Sequence, residues 1–110
     1  MVPAVPVPSG MAVTFHDIVR GAPGTGLTYR FRFIAPEIAA GVPFEVAEKD
    51  MAFLCESYVL PRLAEIGPRP ARVIVSVSDR PVVFGEITPE AVQFFEAYEP
   101  GDGACIWEAF

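Results

Sequence analysis

Leu27, Tyr29, Phe31 and Phe33 alternate with Thr28, Arg30 and Arg32. This period of two sets one side of a strand in a core and the other in water. Upstream, Met11 to Val19 repeats the pattern more weakly, with Val13 and Phe15 against Thr14 and His16. The glycine-bearing segment RGAPGTG (20–26) joins the two runs, which predicts an antiparallel pair of strands. Between Phe44 and Leu60 the period changes. Ala47, Met51, Leu54 and Tyr58 recur at steps of four, three and four and stack on one helix face. Cys55 lies beside that stripe, while Glu48, Lys49, Asp50 and Glu56 fall mostly elsewhere, as in an amphipathic helix on a sheet. Pro61 lacks an amide hydrogen and crowds the preceding turn, so the helix is expected to end or kink near Leu60.

Ile66 to Pro70 then forces a turn. Arg72 to Ser78 (RVIVSVS) is a β-branched run whose near-continuous apolarity predicts a central strand. Asp79-Arg80-Pro81 turns it, and Val82 to Gly85 forms a short strand or an irregular edge. Thr88 to Tyr98 reads two ways. Thr88 before Pro89 and Glu90 is a fair helix start, with Ala91, Phe94, Phe95 and Tyr98 at helical spacing. Against that, Pro100-Gly101-Asp102-Gly103 followed by Ala104 to Phe110 signals a hairpin, with Val92, Phe94 and Tyr98 lining its first strand. The hairpin is the stronger reading.

The pattern as a whole predicts an α+β fold. A single helix, Phe44–Leu60, packs on one face of an antiparallel sheet in the order β-β-α-β-(β)-β-β. Residues 11–110 form one domain behind a proline-rich extended lead, 1–10, that could also serve as a proline-blunted edge. Val13, Phe15, Leu27, Tyr29, Phe31, Phe33, Met51, Leu54, Val73, Val75 and Trp107 are the expected core.

Composition narrows the function classes. The 110 residues are 52% hydrophobic, which excludes general disorder, and carry a net charge of −6. That charge argues against nucleic acid or anionic lipid as a partner, since both call for surplus Lys and Arg. Lys49 is the only lysine. No run approaches the roughly 18–20 apolar residues of a membrane span. Met1 leads into Val-Pro-Ala-Val-Pro without the basic start and apolar stretch of a signal peptide. The chain is therefore cytosolic, or Met1 is an expression start placed where a signal was removed.

The two cysteines bear on that choice. Cys55 and Cys105 are far apart, there is no CxxC, and the chain has one histidine, so no zinc site can be assembled. A disulfide between them would close a loop of about 50 residues and stabilise by roughly 4 kcal/mol in the chain-entropy model. Two separate buried thiols are the alternative. The disulfide is the expectation, and export goes with it.

Candidate chemistry is sparse. Arg30 and Arg32 share the wet face of their strand with Thr28, and His16 with Thr14 falls on the matching face if the first two strands pair. Arginine forks suit carboxylates and phosphates, while a solvated face neutralised by the protein's own glutamates is the plainer reading. His16 and Asp17, adjacent on a strand, should point to opposite faces and so not cooperate. Asp79 and Arg80 sit in a polar-aromatic loop with Phe84 and Gly85, where a tight turn is the simpler account. Ser57, Ser76 and Ser78 lack a histidine nearby in sequence, and no GxSxG is present. The glycines of GAPGTG precede a strand, whereas a phosphate cradle opens a helix. No catalytic residue, metal site or cofactor is expected. Phe95 and Phe110, if both face out, would form an apolar patch suited to a partner.

The phrases VTFHDIV, LTYRFRFIAPEI, LCESYVLPRL, SDRPVVFGE and FFEAY…GDGACIWEAF resemble an uncharacterised family of small alphaproteobacterial proteins, a domain of unknown function whose members often begin with a signal peptide. The resemblance runs from about Pro8 to Phe110. It implies export, places Cys55 and Cys105 in the family's cysteine positions and supplies no activity. Members sometimes carry an acetolactate-synthase label, but a thiamine-dependent synthase needs several large domains and this chain is one small one. The expectation is a non-catalytic exported interaction or accessory module, binding a protein partner or itself as a homodimer. The alternative is a small anionic-ligand binder or minor enzyme using His16, Arg30 and Arg32.

Overall fold

In the computed structural model, which describes residues 4–21 and 27–108, two strands run parallel at the centre of the sheet. They are β3 (Thr28–Ile34) and β4 (Arg72–Ser78), paired from Thr28↔Arg72 to Ile34↔Ser78. The remaining pairings are antiparallel. A two-residue β1 (Ala4–Val5) lies on β2 (Val13–Arg20), β2 lies on β3, β4 on β5 (Gln93–Pro100), and β5 on β6 (Cys105–Glu108). The six-stranded sheet is therefore mixed and ordered as in the sequence, where an all-antiparallel sheet was expected. The reason is the helix. A chain that leaves β3, crosses the sheet as a helix and returns beside β3 must run parallel to it.

The helix covers one face only. Tyr29, Phe31 and Phe33 of β3 and Val73, Val75 and Val77 of β4 meet Met51, Leu54, Val59 and Leu63 in a core where each is at most 2% exposed. Phe15 and Leu27, expected in that core, are partly buried at its rim. The helix also runs further than Pro61 was expected to allow. Segment α1 (Phe44–Leu54) passes through a wide turn, Cys55–Val59, into α2 (Leu60–Ile66). The Leu60 amide reaches back five residues to the Cys55 carbonyl. Widening the turn makes room for the Pro61 ring, which would otherwise strike the carbonyl one turn earlier. The helix thus absorbs the proline instead of ending at it.

That wide turn also carries the disulfide. Cys55 and Cys105 are bonded with their Cα atoms 6.2 Å apart, tying the helix to β6. Beside them the Cys105 amide donates to the Glu56 carboxylate at 3.2 Å.

Of the two readings of Thr88–Tyr98, the favoured hairpin holds: residues from Gln93 onward form β5, and its hairpin with β6 closes through Gly101 N–H to Ala104 O at 2.7 Å. Val82–Gly85 is not a strand but part of an irregular loop. Trp107 is 56% exposed rather than buried. It pairs with Tyr98 on the helix-facing side, but at the outermost strand, beyond the reach of the helix, and its indole donates to Glu96. The N-terminal segment is anchored by the Ser9 amide, which donates at 3.1 Å to the buried carboxylate of Asp50 in α1. The rest of the glycine loop and Phe110 lie outside the described residues. Among the described residues no helix is long and apolar enough to cross a membrane.

Candidate functional site

Among the described residues no helix lies on the other face of the sheet. The alternation of β3 places Arg30 and Arg32 there, and the parallel register sets Ile74 beside Arg30 and Ser76 beside Arg32. Continuing across, Ser76 pairs with Phe95, and Ser78 with Gln93. On the far side, Asp17 pairs with Arg32.

A bulge between Phe15 and Asp17 decides the fate of the single histidine. An extra residue in one strand breaks strict alternation and re-aims the side chains around it. His16 Nε2 consequently lies 3.8 Å from Asp17 Oδ2, although simple alternation had put them on opposite faces. Both residues line a shallow cleft of about 440 Å³ with Arg32 and the loop residues Pro81 to Phe84. So His16 and Arg32 do come together, with Asp17 between them.

Arg32 is spent on that arrangement. Its Nε and Nη2 donate to the two Asp17 carboxylate oxygens at 2.5 and 2.7 Å, and Nη1 donates to the Val82 carbonyl at 2.8 Å. The Arg32 guanidinium holds the Asp17 carboxyl below the usual carboxylate range, and Asp17 raises Arg32 in return.

Arg30 is different. Its guanidinium stands 5.4 Å from the Phe84 ring centre and 5.6 Å from that of Phe95. Among the described residues no carboxylate pairs with it. Burial, then the neighbouring Arg32 charge, holds Arg30 below the usual arginine range. With Arg32 it lines a pocket of about 160 Å³ beneath the loop, together with Ser76, Phe84, Glu86 and Gln93.

Asp79 and Arg80 are the neck of that loop, away from both concavities. The Asp79 amide donates to Val92 O and the Val92 amide donates to Asp79 Oδ1, each at 3.0 Å, which staples the two ends of residues 79–92 together. Arg80 closes on the same carboxylate, with Nη2 3.0 Å from Oδ2. That hydrogen bond, above all, keeps the Asp79 carboxyl low and raises Arg80. The loop thereby lies as a strap across the sheet and carries Phe84 to the arginines.

Sequence reading missed Phe84, Ser76 and Gln93 as neighbours of Arg30. The alternation of Arg72–Ser78 already put Ser76 off the Val73–Val77 side. Only the parallel register brings it to Arg32, and nothing local announces where the strap lands. A third concavity, about 470 Å³ and mostly apolar, lies between the outer strands and the helix, lined by Val5, Phe15, Phe53, Tyr58 and Arg62. Arg62 covers the Tyr58 ring there at 3.6 Å.

Residues 1–110 match a family described as "Family of unknown function (DUF6497)". The chain belongs to DUF6497. No curated protein and no solved structure is detectably similar to it. Membership in DUF6497 brings no activity with it, so the chemistry of the open sheet face is what remains to be read.

Proposed function

We propose that this DUF6497 protein is an exported, non-catalytic interaction module whose contact surface is the sheet face that the helix leaves uncovered. The observation that carries this is the row Phe84–Arg30–Phe95, an arginine between two aromatic rings that are each about half exposed, at 53% and 50%. Arginine and aromatic side chains dominate the energetic centres of protein interfaces. Val83 and Ile87 on the strap and Ile106 on β6 add exposed apolar area, at 64%, 91% and 54%. The disulfide supports export, because such bonds persist in oxidising compartments and are rare in the cytosol.

The occupant is a different protein that presents an acidic group within an apolar surround. Charge complementarity favours it over a second copy, because a two-fold interface through Arg30 would bring like charges together. The test is capture from envelope extract, with light scattering on the isolated protein. Wild-type protein and Phe53→Ala, altered on the helix side, should retain the same partner, while Phe84→Ala and Arg30→Glu should lose it. A strict monomer that captures nothing, or equal capture by all four proteins, contradicts the proposal.

A further inference from the structure

We propose that the pocket beneath the strap receives a single carboxylate group borne on an apolar substituent, held by Arg30, Ser76 and Gln93. This deepens the interaction reading and rests on it only for the source of the carboxylate, a side chain of the partner protein. Of the polar side chains lining the pocket, Arg30, Ser76 and Gln93 have no protein hydrogen-bond partner among the described residues. Arg30 offers a planar fork, Ser76 a hydroxyl, and Gln93 an amide that can donate. A carboxylate accepts from all three, and its two oxygens match the fork.

Charge selects a monoanion. Arg32 is neutralised by Asp17 through both carboxylate oxygens, leaving Arg30 as the cation of the pocket without a carboxylate partner among the described residues, while Glu86 lies on the lining. A doubly charged phosphate would meet one available cation beside a carboxylate, in a protein of net charge −6. Size selects a headgroup. At about 160 Å³ the pocket is smaller than the roughly 300–1,000 Å³ of ordinary small-molecule sites, so it holds the end of a larger molecule rather than a whole cofactor. The pocket itself is mostly polar, but Val83 and Phe84, both more than half exposed, border it and offer contact to hydrocarbon borne on the carboxylate.

The experiment titrates 15N-labelled protein with benzoate at constant ionic strength and follows the Arg30 Nε–Hε signal. Benzamide, which lacks the charge, and inorganic phosphate serve as comparisons. A saturable benzoate shift is expected, with benzamide silent and phosphate at least tenfold weaker. Arg30→Gln, which removes that signal, should abolish the accompanying benzoate shifts of the Ser76 and Gln93 backbone amides, and Ser76→Ala and Gln93→Leu should each weaken binding severalfold with the backbone spectra of the free proteins unchanged. If Arg30→Gln fails to fold, the latter two variants carry the test. No shift, tighter phosphate, an equal benzamide response, or full binding in both Ser76→Ala and Gln93→Leu would overturn the proposal. Benzoate binding without any captured protein keeps the pocket and removes the interaction reading. Capture without benzoate binding does the reverse, and a partner still held by Arg30→Gln protein does not supply the carboxylate.

Discussion

Tyr98 is 2% exposed, and its hydroxyl has no hydrogen-bond partner among the described residues. Burial, reinforced by Glu96, Glu48 and Glu56, pushes its phenol far above the ordinary tyrosine range. An orphaned buried donor costs about 1–3 kcal/mol, so Tyr98→Phe should stabilise the protein by about 1 kcal/mol. Thermal unfolding should read this as a rise of roughly 4–8 °C; a fall would mean that the hydroxyl has a partner. At Asp17 the expected effect depends on pH. Its folded pKa lies below the unfolded value of about 3.9, so the pair with Arg32 stabilises fully above that value and is lost as pH falls through the folded pKa. Asp17→Asn should therefore cost about 1 kcal/mol at pH 7, a modest figure because the carboxylate is 42% exposed. The cost should shrink in denaturation curves as the pH is taken below the unfolded value of about 3.9 and down through the folded one. A cost that persists unchanged in acid would show that Asp17 acts by packing. Strand β3 was readable residue by residue because its alternation is strict. The His16–Asp17 contact was not, because a bulge is one extra residue with no composition of its own.

Elements that depend on tertiary contacts were the hardest to read. The strap 79–92 has neither period, and its path is set by the two-way bond between Asp79 and Val92. Asp79→Asn loses the ion pair with Arg80 and weakens that staple, so hydrogen exchange across residues 80–91 should accelerate while β4 and β5 stay protected. Uniform acceleration would mean that the carboxylate supports the sheet instead. The helix was legible from its stripe to Leu60, and its continuation through Pro61 was not. A proline announces a missing donor, but not whether a wide turn will accommodate it. Trp107 misleads for a related reason: a large aromatic belongs in a core only if some element lies over it, and the helix meets β6 at Cys105 while Trp107 stays 56% exposed.

At the scale of the molecule, the disulfide joins the helix to the last strand across 50 residues. Replacing both cysteines by serine should cost about 2–5 kcal/mol in denaturant unfolding. An unchanged midpoint would remove the structural reason for the bond. The parallel centre could have been inferred by asking how a strand-helix-strand segment closes, and it governs everything on the open face. It sets Ser76 beside Arg32, so Ser76 reaches the Arg30 pocket only through that register. The helix stripe made it clear which face was covered, but not what the bare face would present.

The central claim, that the bare face is the contact surface, is tested most directly by replacing Phe84 with the photoreactive p-benzoylphenylalanine and irradiating the protein in envelope extract. Parallel samples carry the same group at Phe53 and Trp107. The account predicts a discrete crosslinked species from position 84 that is suppressed by excess benzoate, and none from position 53. Crosslinks from position 53 or 107 with none from position 84 would contradict it.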